Sequence, residues 1–406
     1  MGPRALLAVP SAGLLGWFTL RRCLYLAAGL APPPRIRPLP DDKLPSVSLI
    51  VPARDEEQVA GRVLVALDNL DYPRDRLAIV LVDHGSCDGT GRLFREWADG
   101  RPNAAVISLG RSGGKGTALN AALRATDGEL VGVIDADLRP WPDALRRLAE
   151  VFAEPGVGAA AALVAPVNAD ASFVSRYAAV DAWVHQLITS AAKDRLGLDP
   201  PTFGASLYLR VALERVGGFP DDGFHEDLAA GLAIASRGHR TRFVGHAVVD
   251  NWVVEDLGAY WRQHVRWTRG PFDVAAAGRP AGSLLRRLET RTVHLGYGDR
   301  LVFLAAVFLA VARVLPRWLP AVYLAVQALE VGVALSKAAP TRRLPGFLAS
   351  TVLFPLDVSA SLVAVAFHIA RRPRRWDGRG ATARHGEPRS RGRRPLSARP
   401  ITRPAS

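Results

Sequence analysis

The chain has 406 residues, 49% hydrophobic and 22% charged, a balance that excludes a disordered chain and allows one large or two ordinary domains. Two cysteines, Cys23 and Cys87, cannot build a disulfide framework and lack the C-x-x-C pairing of a structural zinc site, which points to a reducing compartment for most of the chain. The net charge of +14 suggests nucleic acid only until its distribution is read: from Arg371 onward twelve arginines face Asp377 and Glu387, so the tail carries most of the excess and no nucleic-acid partner is expected.

Residues 6–20 form an apolar run containing Pro10, followed by Arg21, Arg22 and a second apolar stretch over 24–31. A cleaved signal peptide carries its positive charge ahead of the apolar run. Here more follows it, so residues 1–31 read as an uncleaved membrane anchor. Six prolines lie between 32 and 45, and residues 32–46 are expected to be a linker. From 47 to about 245, apolar runs of strand length alternate with amphipathic stretches of helix length, the pattern of an α/β domain. Runs 48–51, 79–82, 105–108, 130–134 and 158–163 are near-continuously apolar, as parallel strands covered on both faces must be. After Asp299 come three apolar blocks, 301–315, 319–335 and 347–370, read as membrane helices. The arginine-rich tail, 371–406, then lies in the cytoplasm. If the α/β domain is cytoplasmic too, an even number of the three blocks spans, and one, the short first block for choice, lies in the interface. Asp357, near Pro355 in the last block, is either a functional buried charge or a helix-facing carboxyl.

The polar motifs gather at strand ends. The first run closes in Val51-Pro52-Ala53-Arg54-Asp55-Glu56-Glu57 and the second in Val82-Asp83-His84-Gly85-Ser86-Cys87-Asp88, at the carboxyl edge where open α/β sheets bind ligands. Taken alone, either is equally a turn with a helix cap. Arg111-Ser112-Gly113-Gly114-Lys115-Gly116-Thr117 precedes a helix over 118–124 and lets backbone N–H groups and an ammonium approach phosphate. Its glycine spacing is not that of a Walker loop. Asp135 and Asp137 close the fourth run, and at i and i+2 of an extended chain both side chains turn toward one hard cation or its phosphate ligands. Phe224-His225-Glu226-Asp227 opens a helix, where a carboxylate can be a general base or a cap. Gln263, Arg266 and Trp267 share a helical face by their spacing, offering a phosphate fork and a flat ring, or else membrane-interface anchors.

In this order the motifs resemble those of membrane-bound family 2 glycosyltransferases, the group of cellulose, hyaluronan, chitin and poly-N-acetylglucosamine synthases and, more distantly, ceramide glucosyltransferases. The resemblance covers about 47–270 and the flanking apolar segments. It implies an α/β GT-A fold (Rossmann-like, mostly parallel sheet) with membrane helices at both ends, an inverting mechanism, a nucleotide-sugar donor, Mg²⁺ or Mn²⁺, and a polysaccharide or lipid acceptor. By position, Asp55, Glu56, Asp83 and His84 would line the donor pocket. Lys115, Asp135, Asp137 and Arg266 would meet the donor diphosphate and its metal, with Asp137 the direct ligand and Asp135 beside it. Asp227, with Glu226 as neighbour, would be the base, and Gly204, Gln263 and Trp267 would face the acceptor. Two positions depart from the family: His84 stands where a second aspartate meets the nucleotide base, and His225 replaces the threonine of T-E-D.

The implied division is an anchor (1–31), a linker (32–46), a catalytic domain (47–270), an interfacial linker (271–299), membrane helices (300–370) and the tail. The implied place is the cell membrane, multi-pass, with the catalytic domain cytoplasmic and membrane lipid as a partner. Nucleotidyltransferases share the Gly-rich, Lys-bearing turn and the paired aspartates, but need neither Q-x-x-R-W nor an apolar C-terminal region. An inactive membrane scaffold is the remaining rival.

Overall fold

The computed structural model describes residues 3–110, 114–221, 225–273, 283–294, 298–338 and 343–370. Eight strands form one sheet: β1 (Val47–Ala53), β2 (Leu77–His84), β3 (Ala104–Leu109), β4 (Leu130–Ile134), β5 (Arg139–Pro140), β6 (Val157–Pro166), β7 (Ala205–Leu209) and β8 (Arg240–Asn251). The helices, in chain order, begin with α1 (Pro3–Leu30), α2 (Glu57–Asp68), α3 (Thr90–Ala98), α4 (Lys115–Arg124), α5 (Ala144–Glu150), α6 (Phe173–Trp183) and α7 (Ala191–Leu196), the last two joined by a π-helical turn, Val184–Ser190. They continue with α8 (Arg210–Arg215), α9 (Glu226–Ser236), α10 (Leu257–Asp273), α11 (Leu284–His294), α12 (Gly298–Val311), α13 (Trp318–Ala338) and α14 (Arg343–Ile369).

The strand order is β3-β2-β1-β4-β7-β6-β8-β5. β1, β2, β3 and β4 pair in parallel, β6 pairs in parallel with β8, and β7 and β5 run against their neighbours. This is the mostly parallel α/β sheet expected, and each of the five apolar runs lies within a strand. Every residue of β1 is buried because both faces are covered. Leu49 and Val51 pack with Val63, Leu64, Leu145 and Leu148 of α2 and α5, while Ile50 packs with Leu119 and Leu123 of α4 and Ile234 of α9. Each such side chain contributes about 1.5–3 kcal/mol. The direction of chain progress reverses between β1 and β4, which opens a crevice at the carboxyl ends of β2, β1 and β4.

Outside the sheet several expectations change. The two N-terminal apolar stretches form one helix, α1, which runs through Pro10. Residues 32–46 hold only a short 3-10 turn, yet they are no free tether: Leu44 is fully buried and the N–H of Leu39 donates to Glu150 Oε1 at 3.2 Å. Of the three C-terminal blocks, the first forms α12, whose 14 residues rise about 21 Å and fall short of a bilayer core of about 30 Å. Among the described residues two helices are long and apolar enough to cross a membrane, Trp318–Ala338 and Leu344–Ile369. α1 packs Leu15 and Phe18 against Phe303 of α12 and Tyr323 of α13, and Tyr25 and Leu26 against α6, α7 and α13.

Candidate active site

The loops after β1 and β2 are laced together. Ala53 and Asp83 are register partners, and beyond them the chain turns at Asp55, whose φ of 55° is left-handed. Aspartate tolerates that conformation better than most residues. The Asp55 N–H donates to Ser86 Oγ at 3.0 Å, and Cys87 N–H donates to Asp55 Oδ1 at 2.6 Å. Glu56 N–H donates to Thr90 Oγ1, and Asp83 Oδ1 accepts from Ser86 N–H, both at 2.9 Å. Asp83 also explains Gly91: a Cβ there would stand 2.3 Å from Asp83 Oδ2. His84 is buried at the end of β2. These four sequence-predicted residues therefore form one wall of the crevice.

The second wall is ionic. Asp135 directly follows β4, is buried, and approaches Gly204 so closely that a Cβ on Gly204 would stand 2.2 Å from Asp135 Oδ2. Lys115, the first residue of α4, places Nζ 2.5 Å from Asp135 Oδ1 and 2.6 Å from Glu226 Oε1. Gly116 lets that helix start approach Pro220, since a Cβ would stand 1.9 Å from the proline carbonyl oxygen. The helix begins three residues earlier than the sequence pattern suggested, and its neighbours Arg111, Ser112 and Gly113 lie outside the described residues, as does Phe224. One expectation needs correcting: Asp135 and Asp137 are not in an extended segment. Ala136 and Asp137 form a turn, in which Leu138 N–H donates to Asp135 O at 3.0 Å, so alternation along a strand does not relate the two carboxylates.

Asp227 is half-buried in the first turn of α9, where its Oδ1 accepts from Leu228 N–H at 2.7 Å and its carbonyl accepts from Thr202 Oγ1 at 2.5 Å. Burial, and then the neighbouring Glu226, push the Asp227 carboxyl up to about 7 despite the opposing charge of Lys115. Burial works against the Lys115 ammonium, but Asp135, Glu226 and Asp227 outweigh it and hold the ammonium well above its ordinary range. The cluster thus joins a carboxylate poised near neutrality to a fixed positive charge.

His225 connects this cluster to α10. Its Nε2 lies 3.2 Å from the Arg266 carbonyl oxygen, and its ring fills the space where a Gly270 Cβ would meet it at 2.5 Å. Gln263 and Arg266 are half-buried and Trp267 is exposed at 38%, on the helix lying beside the Glu226–Asp227 turn. On the same side of α10 as Trp267, the sequence reading passed over Tyr260 and His264, which are buried. Their i, i+4 spacing was the available signal.

No group of three or more His, Cys, Asp or Glu side chains able to hold a metal is found among the described residues. Two carboxylates just beyond a strand end, Asp135 seated against Gly204 and Asp137 in the turn after it, are hard oxygen donors that suit a cation whose remaining ligands are phosphate oxygens and water.

The model of the family described as "Glycosyltransferase like family 2" matches residues 45–270. The chain is 32% identical over 236 residues to a beta-monoglucosyldiacylglycerol synthase of Synechocystis, covering 56% of this chain and 48% of that protein. It is 31% identical over 254 residues to an N-acetylglucosaminyltransferase of Mesorhizobium japonicum, covering 59% of each. The chain thus spans about half the length of the curated relatives it matches. Among solved structures, the mannosyltransferase PcManGT of Pyrobaculum calidifontis, in complex with GDP-Man and Mn²⁺, shares the fold with a TM-score of 0.63 at 24% identity, over 90% of this chain and 99% of that one. The matched residues take in every strand of the sheet and α10 as far as Gly270, more than half of the chain, which belongs to glycosyltransferase family 2 and has the GT-A fold.

Proposed function

We propose that the protein is a membrane-embedded, inverting glycosyltransferase that moves a sugar from a nucleotide-sugar donor to the hydroxyl of a lipid acceptor. The observation that carries this reading is Asp227, a carboxyl poised near pH 7 beside Lys115, Glu226 and Asp135 at the mouth of a parallel sheet. Asp227 takes the proton of the acceptor hydroxyl. The acceptor oxygen bonds to the anomeric carbon as the bond from that carbon to the diphosphate oxygen breaks on the opposite face. The nucleoside diphosphate leaves with the bonding electrons, its charge balanced by Lys115 and Arg266. Asp55, Glu56, Asp83 and His84 bind the nucleoside, and Gly204, Gln263 and Trp267 face the acceptor. Asp137 with Asp135 would hold Mg²⁺ or Mn²⁺, which supplies further positive charge to the diphosphate when bound.

Membrane embedding is supported by an inverted polarity. Among the described residues, twenty of the twenty-six exposed large hydrophobic side chains lie on α1 and α11–α14. Charge is turned inward on the same helices: Arg22 pairs with Asp299 at 2.6 Å and with Glu330, and Glu289 pairs with Arg21 and Lys193 at 2.8 Å each. On α11, Leu284, Leu285 and Leu288 are exposed while Arg286 and Glu289 bond inward, as suits a helix in the interface. This supports the division into an anchor (1–31), a packed connector (32–46), a catalytic domain (47–270), an interfacial segment (271–299) and membrane helices (300–370); the arginine content of 371–406 favours the cytoplasmic side for the tail and, with it, the catalytic domain. A lipid acceptor is favoured over a polymer in transit because α12 is too short to add a span to a channel. The glucosyldiacylglycerol synthase relative agrees with this, while a sugar-chain acceptor, which the resemblance to polysaccharide synthases implies, is the second reading.

The test is release of nucleoside diphosphate by detergent-solubilised protein from a panel of UDP-, GDP- and dTDP-sugars, with diacylglycerol, monoglucosyl-diacylglycerol or oligosaccharide as acceptor. We expect divalent-metal-dependent transfer to a lipid, lost in Asp137→Ala. Transfer to oligosaccharide alone would replace the lipid reading with the second one. Silence with every donor and acceptor would leave an inactive scaffold.

A further inference from the structure

The buried carboxylate of Asp357, on α14, is 1% exposed and is used by three other helices. Tyr177 Oη of α6 donates to Oδ2 at 2.6 Å, and Arg300 Nη2 of α12 lies 2.9 Å from the same oxygen. From α10, Tyr260 Oη donates to Oδ1 at 2.7 Å and His264 Nδ1 lies 3.3 Å from it. The His264 ring stacks on Tyr260, with centroids 3.8 Å apart, and stands 5.1 Å from the ring of Trp267. An aromatic column therefore runs from the carboxylate to the exposed tryptophan of the site.

Burying a carboxylate among apolar helices is expensive, and a hydrophobic side chain of similar volume is often at least as stabilising. What the carboxylate adds is direction. A slip of α10 by one residue would move it about 1.5 Å and rotate it by about 100°, breaking the Tyr260 hydrogen bond and separating His264 from the carboxylate. Beside it Val265 packs on Ala360 and Ala364, flanked by Trp261 and Phe367, and Trp261 Nε1 donates to Ser359 Oγ of α14 at 3.2 Å, a neutral bond that shares the register with the buried carboxylate. Fixing register is the best-attested use of a buried polar group.

We propose that Asp357 is a positioning residue: through Tyr260 and His264 it sets the rotation of α10 about the aromatic column, and so the placement of the acceptor-facing Trp267. This rests on the function proposed above. The experiment compares Asp357→Asn, Tyr260→Phe and Tyr177→Phe in full-length solubilised protein, measuring acceptor transfer, donor hydrolysis without acceptor, and thermal midpoint. Both tyrosine variants remove one hydroxyl from the same carboxylate, but only Tyr260 lies on α10. We expect kcat/KM for the acceptor to fall about tenfold in Tyr260→Phe and roughly 10–100-fold in Asp357→Asn, with donor hydrolysis largely kept, while Tyr177→Phe loses midpoint as Tyr260→Phe does but transfers like the parent. Loss of transfer in step with midpoint in both tyrosine variants, or in neither, overturns the proposal. Should Asp357→Asn fail to fold, the tyrosine pair still decides. A parent protein that neither transfers nor hydrolyses any donor refutes the functional reading itself.

Discussion

Gly204 and Asp135 stand so close that no side chain fits between them: a Cβ on Gly204 would lie 2.2 Å from Oδ2 and 2.6 Å from Cγ of Asp135. The backbone of Gly204 also receives the Asp135 N–H at 2.8 Å, so the segment before β7 and the end of β4 are locked together at the site. A methyl group must therefore displace the carboxylate instead of the strand. Gly204→Ala should keep its thermal midpoint within a few degrees yet lose roughly 100-fold in kcat, since a misplacement of about 1 Å is worth that much. Steady-state kinetics alongside a melting curve would check it, and full activity would remove Asp135 from the machinery.

The affinity of Asp227 for its proton sets a pH dependence. With the carboxyl raised from its ordinary 3.8 to about 7 by burial and Glu226, the base is available only above that value, so kcat/KM should rise with pH through about 7. Glu226→Gln removes a raising charge and should move this limb to lower pH. Lys115→Met removes a lowering charge and should move it to higher pH. A pH–rate profile of the three proteins whose limbs coincide would assign the limb to another group.

The same shift is a statement about stability. Because the folded-state value lies above the unfolded one, the stabilising contribution is present below about 3.8 and is lost as pH rises through about 7. Asp227→Asn should therefore abolish transfer, keep donor binding, and melt higher than the parent at pH 8 but not at pH 4. Parallel melting curves at the two pH values, with donor titration, measure all three outcomes.

His225 and Gly270 form a matched pair across α9 and α10, because a Cβ on Gly270 would enter the imidazole ring at 2.5 Å. Gly270→Ala should push α10 away from the Glu226–Asp227 turn and reduce transfer by at least about tenfold. His225→Thr vacates the ring's volume, so the double variant should recover activity that Gly270→Ala alone lacks. A double-mutant cycle without coupling would deny that the two touch.

The chain announced its parallel strands and the chemistry at their ends, for a local reason. A strand buried on both faces must be continuously apolar, and the polar groups that follow at its carboxyl edge interrupt that run abruptly, as at Ile134-Asp135 or Val82-Asp83. The long apolar helices α13 and α14 were legible in the same way, from runs of apolar residues. The antiparallel β7, by contrast, is as short and apolar as its neighbours, and nothing local to Ala205–Leu209 states its direction.

The partners of the charged side chains were decided by the tertiary structure alone. Lys115 bridges Asp135 and Glu226, Asp135 and Asp137 are separated by a turn, and Asp357 is claimed by helices distant in the chain. Periodicity reports which face of an element is buried, because that depends on residues two to four positions apart. Which opposite charge lies across the gap depends on how whole elements pack, and no spacing along one segment encodes it.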